Sequence, residues 1–241
     1  TPGADRRVCR ACGCWAADGK RGEDDMAEWI WVAPWATAAA LYGLFLAWYL
    51  SWRGPMSAAE IETALAKLLA SSLEMDGRNQ IETLQRFLEA DDGRPFYMLN
   101  LVRLAAEPIA DPETGHMRPA RDLMSEYTRV FLPALFARGG HPAIAARKVG
   151  GYFDAWGVEA DPGWSIVGYM RYRSRRDLAA LVVDPRFSGA HEFKFAAMPQ
   201  TYSFPTQPQI MTLATPTVWV GLVLALAAAL AHIVMLQAQI A

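Results

Sequence analysis

The sequence predicts an α+β domain inserted between two transmembrane α-helices. Three observations carry that prediction. Residues 29–52 contain no Asp, Glu, Lys or Arg, and neither do residues 215–241. Each stretch exceeds the roughly 20 residues that a helix needs to cross the hydrocarbon core of a bilayer. Between them the apolar residues recur alternately at strand and helix period, as in a folded domain.

The first span is predicted over residues 28–53. Trp29, Trp31 and Trp35 stand at one end of it, and Trp48, Tyr49 and Trp52 at the other. Such residues form the aromatic belts at lipid–water interfaces. The second span is predicted over residues 215–237, with Trp219 near its start. A pair of buried helices in a soluble protein is the competing reading, but so long an uncharged run exceeds most soluble cores. A cleaved signal peptide is disfavoured because the apolar run is too long and no small-x-small site follows it.

The chain has 241 residues and a formal net charge of −2. Acidic and basic residues are interspersed, so the electrostatic footprint of a nucleic-acid-binding protein is missing. All three cysteines, Cys9, Cys12 and Cys14, lie in an N-terminal tail over residues 1–27, and Met26 is a natural start. Their spacing resembles half of a zinc or iron–sulfur site, and a closed site needs a fourth ligand. The preferred reading is a disordered tail with reduced thiols, and no metal site. Lys20 and Arg21 flank one side of the first span and Arg53 the other. With the unpaired cysteines, this favours a cytoplasmic tail and a periplasmic middle domain.

A helical linker is expected over residues 54–92. Ser57 and Glu60 form a capping box, followed by Ile61, Leu65, Leu68, Leu69 and Leu73 at helical spacing. A second helix is expected over 79–90, ended by an Asp-Asp-Gly-Arg-Pro run. The domain proper spans residues 93–210. Residues 96–103 read as a strand, with Phe96, Met98, Asn100 and Val102 on one face. A polar loop over 105–120 leads to a helix over 122–137. Residues 141–156 and 164–172 read as strands, the first bent near Gly150. Ser174 caps a short helix, a further turn covers 187–195, and a last strand lies over 200–204. The order β-α-β-β-α-β is the ferredoxin-like arrangement, a four-stranded antiparallel sheet with two helices on one face.

Over residues 80–208 the chain resembles the bacterial domain-of-unknown-function 1330 family of the dimeric α/β-barrel superfamily. The resemblance rests on residues 94–101, on residues 126–133 with Gly139 and Gly140, on residues 164–176, and on residues 184–187 with His191. It implies two domains pairing sheet to sheet as a barrel, each with a pocket between sheet and helices. Some members of the superfamily act on small aromatics; others bind haem or serve only as modules.

The candidate pocket residues are Asn100, Tyr127 and His191. A buried Asn must satisfy its amide, so Asn100 either orders a neighbour or binds a ligand. His191 titrates near neutrality and suits an acid/base or ligand role, against a surface or cap role. Tyr127 either points its hydroxyl into the pocket or is a core residue. Arg103 and Arg171 either anchor a carboxylate or, the preferred reading, are solvated strand edges; His116 and His141 read as loop residues. No catalytic residue is assigned: the chain has no G-x-S-x-G, Walker, H-E-x-x-H or Rossmann signature. His232 lies inside the second span, where an ionisable residue is a functional candidate. Its spacing from Ala228 resembles the pigment-ligating motif of light-harvesting helices, so His232 is a weak candidate ligand for bacteriochlorophyll or haem. A hydrogen bond to a neighbouring helix is the plainer reading. Gly43 and Ala228 belong to small-residue faces suited to helix packing.

These features favour a non-enzymatic accessory subunit of a complex in the bacterial inner membrane, respiratory or photosynthetic. Its partners would be other membrane subunits and the lipid bilayer, with self-pairing of the domain and no nucleic acid. The alternative is a membrane-anchored binding protein or monooxygenase-like enzyme with an aromatic or quinone-like ligand.

Overall fold

The computed structural model describes residues 14–70, 81–187, 189–211 and 214–240, and the side chains of those between 31 and 238. The chain divides into two compact units, residues 47–211 and a helical unit from the two ends of the chain.

The helical unit holds most of α1 (Cys14–Tyr49) and all of α7 (Pro216–Ile240). Both are long and apolar enough to cross a membrane, over Trp31–Tyr49 and Pro216–Ala238. Only 0% and 6% of these apolar windows is buried within the protein. The two helices run antiparallel. The Tyr42 hydroxyl donates to the Thr217 carbonyl at 2.8 Å, and the Trp31 ring lies 5.0 Å from that of His232. The Tyr42 ring packs beside Gly221, where a Cβ would sit at van der Waals contact, 3.4 Å away. α1 begins at Cys14, within the stretch read as a disordered tail. Helix formers such as Ala16, Ala17, Lys20 and Glu23 extend a helix cheaply once it is nucleated. Cys9 and Cys12, and the side chain of Cys14, lie outside the described residues.

In the other unit, α2 (Ala58–Ala70) and α3 (Ile81–Glu89) precede the sheet. The capping box forms as read: the Glu60 N–H donates to Ser57 Oγ at 3.3 Å, and Glu60 Oε2 accepts the Ser57 N–H at 2.9 Å. Ile61, Leu88 and Ala179 form a small core that joins these helices to α5 (Arg175–Val182), so α2 and α3 pack as part of the unit. Leu69 points outward at 66% exposure, a departure from the expected apolar face, and Leu73 lies outside the described residues.

β1 (Phe96–Arg103), β4 (His141–Arg147), β5 (Ile166–Tyr172) and β6 (Gln200–Thr206) form one antiparallel sheet in the order β4-β5-β1-β6. This is the ferredoxin-like order. α4 (Ala120–Ala137) and α6 (Ala190–Ala197) cover one face. Phe96, Met98, Val102, Met170 and Tyr172 meet Leu123, Tyr127, Leu135 and Phe193 there. The loop expected over 105–120 is instead a hairpin of β2 (Ile109–Ala110) and β3 (Met117–Arg118). Asp111 organises it: its carboxylate accepts the N–H groups of Glu113 and Thr114 and the Arg118 guanidinium at 2.6 Å. The strand read over 141–156 is shorter, ending at Arg147 with one further backbone bond from the Lys148 N–H to the Ser165 carbonyl, ahead of Gly150 and Gly151.

Candidate functional site

Three places in the domain concentrate polar chemistry. The first holds the residues singled out in the sequence, and the structure separates them. Asn100 stands in the centre of the sheet. Its Oδ1 accepts the Ser203 hydroxyl at 2.8 Å, and its Nδ2 donates to the carbonyls of Met98 and Gly168 at 3.0 and 3.4 Å. The amide therefore ties β1 to β5 and β6. Tyr127 and His191 meet elsewhere, between α4 and α6, with ring centroids 5.9 Å apart and Phe187 beside both. Lys194 Nζ lies 5.5 Å from the Tyr127 ring centre. Burial raises the Tyr127 pKa, and it lowers those of His191 and Lys194, with Lys194 adding to the effect on His191. His191 is thus neutral at pH 7.

The second place is a strap of arginines over residues 48–60. Arg171, read as a solvated edge, is only 2% exposed. It donates to the carbonyls of Gly139 at 2.7 Å and Tyr49 at 3.2 Å, and its guanidinium lies 3.7 Å from the Tyr49 ring centre. Arg173 donates to the Trp48 carbonyl at 2.9 Å and forks onto Asp177. Arg176 reaches the Gly54 and Pro55 carbonyls and pairs with Glu60 through two nitrogens. The carbonyls of Trp48 and Tyr49 belong to the last turn of α1, where helical partners run out and cations are favourable. Gly139 (φ +70°) admits this arrangement, since a Cβ would stand 2.6 Å from the Trp48 carbonyl oxygen. His141 stands at the start of β4, where its Nδ1–H donates to the Pro142 carbonyl. Its Nε2 is left to accept the Tyr49 hydroxyl at 3.0 Å.

The third is a cleft of about 1010 Å³ at the opposite end of β5, between one flank of α4 and the strand ends. Met124 and Leu132 of α4 line it, with Leu104 and Ile166; Arg103, Arg121, Arg129 and Arg147 also line it. No Asp or Glu is among its lining residues. Ser165 shapes it: the hydroxyl donates to the Val102 carbonyl at 3.1 Å and accepts the Leu104 N–H at 3.0 Å. Gly163 (φ +77°) lets Arg103 lie close, as a Cβ would be 2.9 Å from Nε. The loop joining Arg147 to Gly163 exposes Phe153 fully and Trp156 at 80%. None of Asn100, Tyr127 or His191 lines the cleft. The signal for it in the sequence is the flank of α4, where Arg121, Ser125, Thr128 and Arg129 recur at helical spacing.

In the helical unit, Ala228 is 4% exposed, packed in the hairpin. A Cβ at Gly43 would meet nothing within 4 Å, so this glycine is not at the contact between the two helices. His232 Nδ1 is buried and has no hydrogen-bond partner among the described residues. Among the described residues no cluster of His, Cys, Asp and Glu is arranged to hold a metal ion.

No family model and no curated protein matches this chain. Solved structures do. The RPA0582 protein of Rhodopseudomonas palustris, described as of unknown function, is 22% identical, with a TM-score of 0.46 over 55% of this chain and 96% of its own. A methylated RPA0582 structure is 23% identical, with a TM-score of 0.46 over 56% of this chain and 96% of its own. A putative antibiotic biosynthesis monooxygenase from Bacteroides thetaiotaomicron is 11% identical, with a TM-score of 0.33 over 51% of this chain and 96% of its own. The ferredoxin-like assignment rests on the strand order and connectivity of the sheet itself.

Proposed function

We propose that this chain is a two-span protein of the bacterial inner membrane. Its ferredoxin-like domain is a non-enzymatic accessory subunit of a larger membrane complex, respiratory or photosynthetic. The domain belongs with the domain-of-unknown-function 1330 group and faces the periplasm. The observation that supports this reading is the second face of the sheet. Leu99, Leu101, Val167 and Tyr169 share that face with Ile144, Tyr202 and Phe204, which are 47%, 66% and 46% exposed. A sheet stays folded by covering its apolar faces, and contiguous exposed apolar surface marks interaction sites. A second copy of the domain, or a partner subunit, covers this one.

The test is the mass of the protein purified from its native membrane in mild detergent. The expected result is a dimer or a stoichiometric complex. Tyr202→Glu with Phe204→Glu should keep the far-ultraviolet spectrum and return a lone monomer. A wild-type protein that already runs alone as a monomer overturns the reading. Location has its own check. A cysteine at Glu113, in a background without Cys9, Cys12 and Cys14, should react with an impermeant maleimide in intact spheroplasts. The alternative, a ligand-binding protein or monooxygenase-like enzyme for an aromatic or quinone-like molecule, draws on the desolvated Tyr127, His191 and Lys194 group. Under the accessory reading, His191→Ala leaves assembly intact.

A further inference from the structure

We infer that the cleft beside α4 binds an amphiphilic carboxylate, a small molecule with an apolar body and a single anionic head. The inference is independent of the accessory-subunit reading, because the cleft and the open sheet face share no residue that either argument uses. The volume, about 1010 Å³, suits a small-molecule site. Its floor is the outer edge of the domain core, where Met124, Leu132 and Leu104 pack against buried residues and remain partly exposed. That floor takes an apolar body.

The charge above the floor selects the head. Arg129 is already paired with Glu126 at 2.6 Å, and Arg103 donates to the Gln200 side chain at 3.3 Å. Arg121 and Arg147 have no side-chain partner among the described residues. The first comes from α4 and the second from the end of β4, so they reach the cleft from different elements. A neutral apolar ligand would leave both exposed guanidinium groups with water alone as partner. A polyphosphate would meet no glycine-rich cradle and would bury the apolar floor against nothing. A carboxylate matches the planar fork of Arg in a bidentate pair, and an attached apolar body covers Met124 and Leu132. Phe153 and Trp156, on the loop between Arg147 and Gly163, add unpartnered apolar surface from the same stretch of chain.

The experiment uses the full chain in nanodiscs of phosphatidylcholine. It is titrated by calorimetry with 2-naphthoate, and with 2-naphthamide as a neutral probe of the same shape; empty nanodiscs supply the partition background. Saturable naphthoate binding is expected, with naphthamide weaker by about tenfold or more, since a hydrogen bond to a charged group is lost. Arg121→Gln combined with Arg147→Gln should weaken naphthoate by at least about tenfold and leave naphthamide and the melting temperature unchanged. Leu132→Trp, which fills the floor, should remove the binding of both. Equal affinities for the two probes, an unaffected double variant, or no binding above empty nanodiscs overturns the inference. So does competitive loss of naphthoate when phosphatidylglycerol replaces phosphatidylcholine, because the occupant is then a lipid headgroup. The mass of the complex in detergent stays the same in each variant, which keeps this outcome separate from that of the accessory reading.

Discussion

Asp184 gathers two arginines, Arg138 at 2.7 Å and Arg186 at 2.6 Å, and its side chain is only 6% exposed. Hydrogen bonds from Arg186 and Arg138 hold its carboxyl well below the usual carboxylate range. Asp111 beside Arg118, and Glu60 beside Arg176, are likewise lowered to about 2. A carboxylate whose folded pKa is depressed contributes stability above its unfolded pKa of roughly 4 and loses it as pH falls toward the folded value. The carboxylate contribution should therefore be flat from neutral pH to about 5 and fall below that, on top of a gentler loss that begins below roughly 6.5, because burial lowers the pKa of His141 and His191. Asp184→Asn should cost about 1–2 kcal/mol at pH 7, a modest figure because Arg186 is half exposed and its pair is screened. The variant should also show a shallower acid limb. Denaturant midpoints at pH 7, 5, 4 and 3 check both, and an acid limb as steep as the wild type's would contradict the assignment. Single residues differ in how legible they are. Asn100 was conspicuous because a polar side chain interrupts an apolar alternation. Arg171 was not, because a buried arginine and a solvated one look alike in sequence. Only the carbonyls that surround it, from Gly139 and Tyr49, tell them apart.

At the scale of elements, the arginine strap joins β5 and α5 to the end of α1. Arg176→Gln removes donors to the Gly54 and Pro55 carbonyls and one side of the Glu60 pair. Local opening of residues 50–57 should become easier by ~1.4 kcal/mol, read as about tenfold faster tryptic cleavage after Arg53. Cleavage at the wild-type rate would show that the strap contributes nothing there. Most elements were readable in advance. β1 matches its predicted span, and the caps at Ser57 and Ser174 form because the side-chain oxygen has a nearby N–H to accept. The hairpin at Asp111 was missed because a two-residue strand pair is too short for a period to show.

At the scale of the whole molecule, the two apolar helices pack on each other through Ala228, Gly221 and Tyr42 and expose the rest of their apolar surface. Ala228→Leu should separate them, since the added volume has no space in a close contact. Gly43→Leu should be tolerated within the hairpin and should disturb only contacts with a further helix. Crosslinking by a short bis-maleimide between cysteines placed at Trp31 and His232 reports the hairpin. It should be lost in Ala228→Leu and kept in Gly43→Leu. A His232→Ala variant read by absorption tests the ligand role of that residue, and loss of a pigment or haem band would establish it.

By itself the sequence determined the two apolar spans and the order of strands and helices between them. Those depend on run length and on periods of two and 3.6 residues, which are local quantities. Tertiary structure alone decided which side of the sheet is covered, and that Tyr127 and His191 meet while Asn100 does not join them. It also decided that arginines from α4 and from the ends of β1 and β4 line one cleft. These are contacts between residues far apart in the chain, and they follow from strand register and helix rotation rather than from any local pattern.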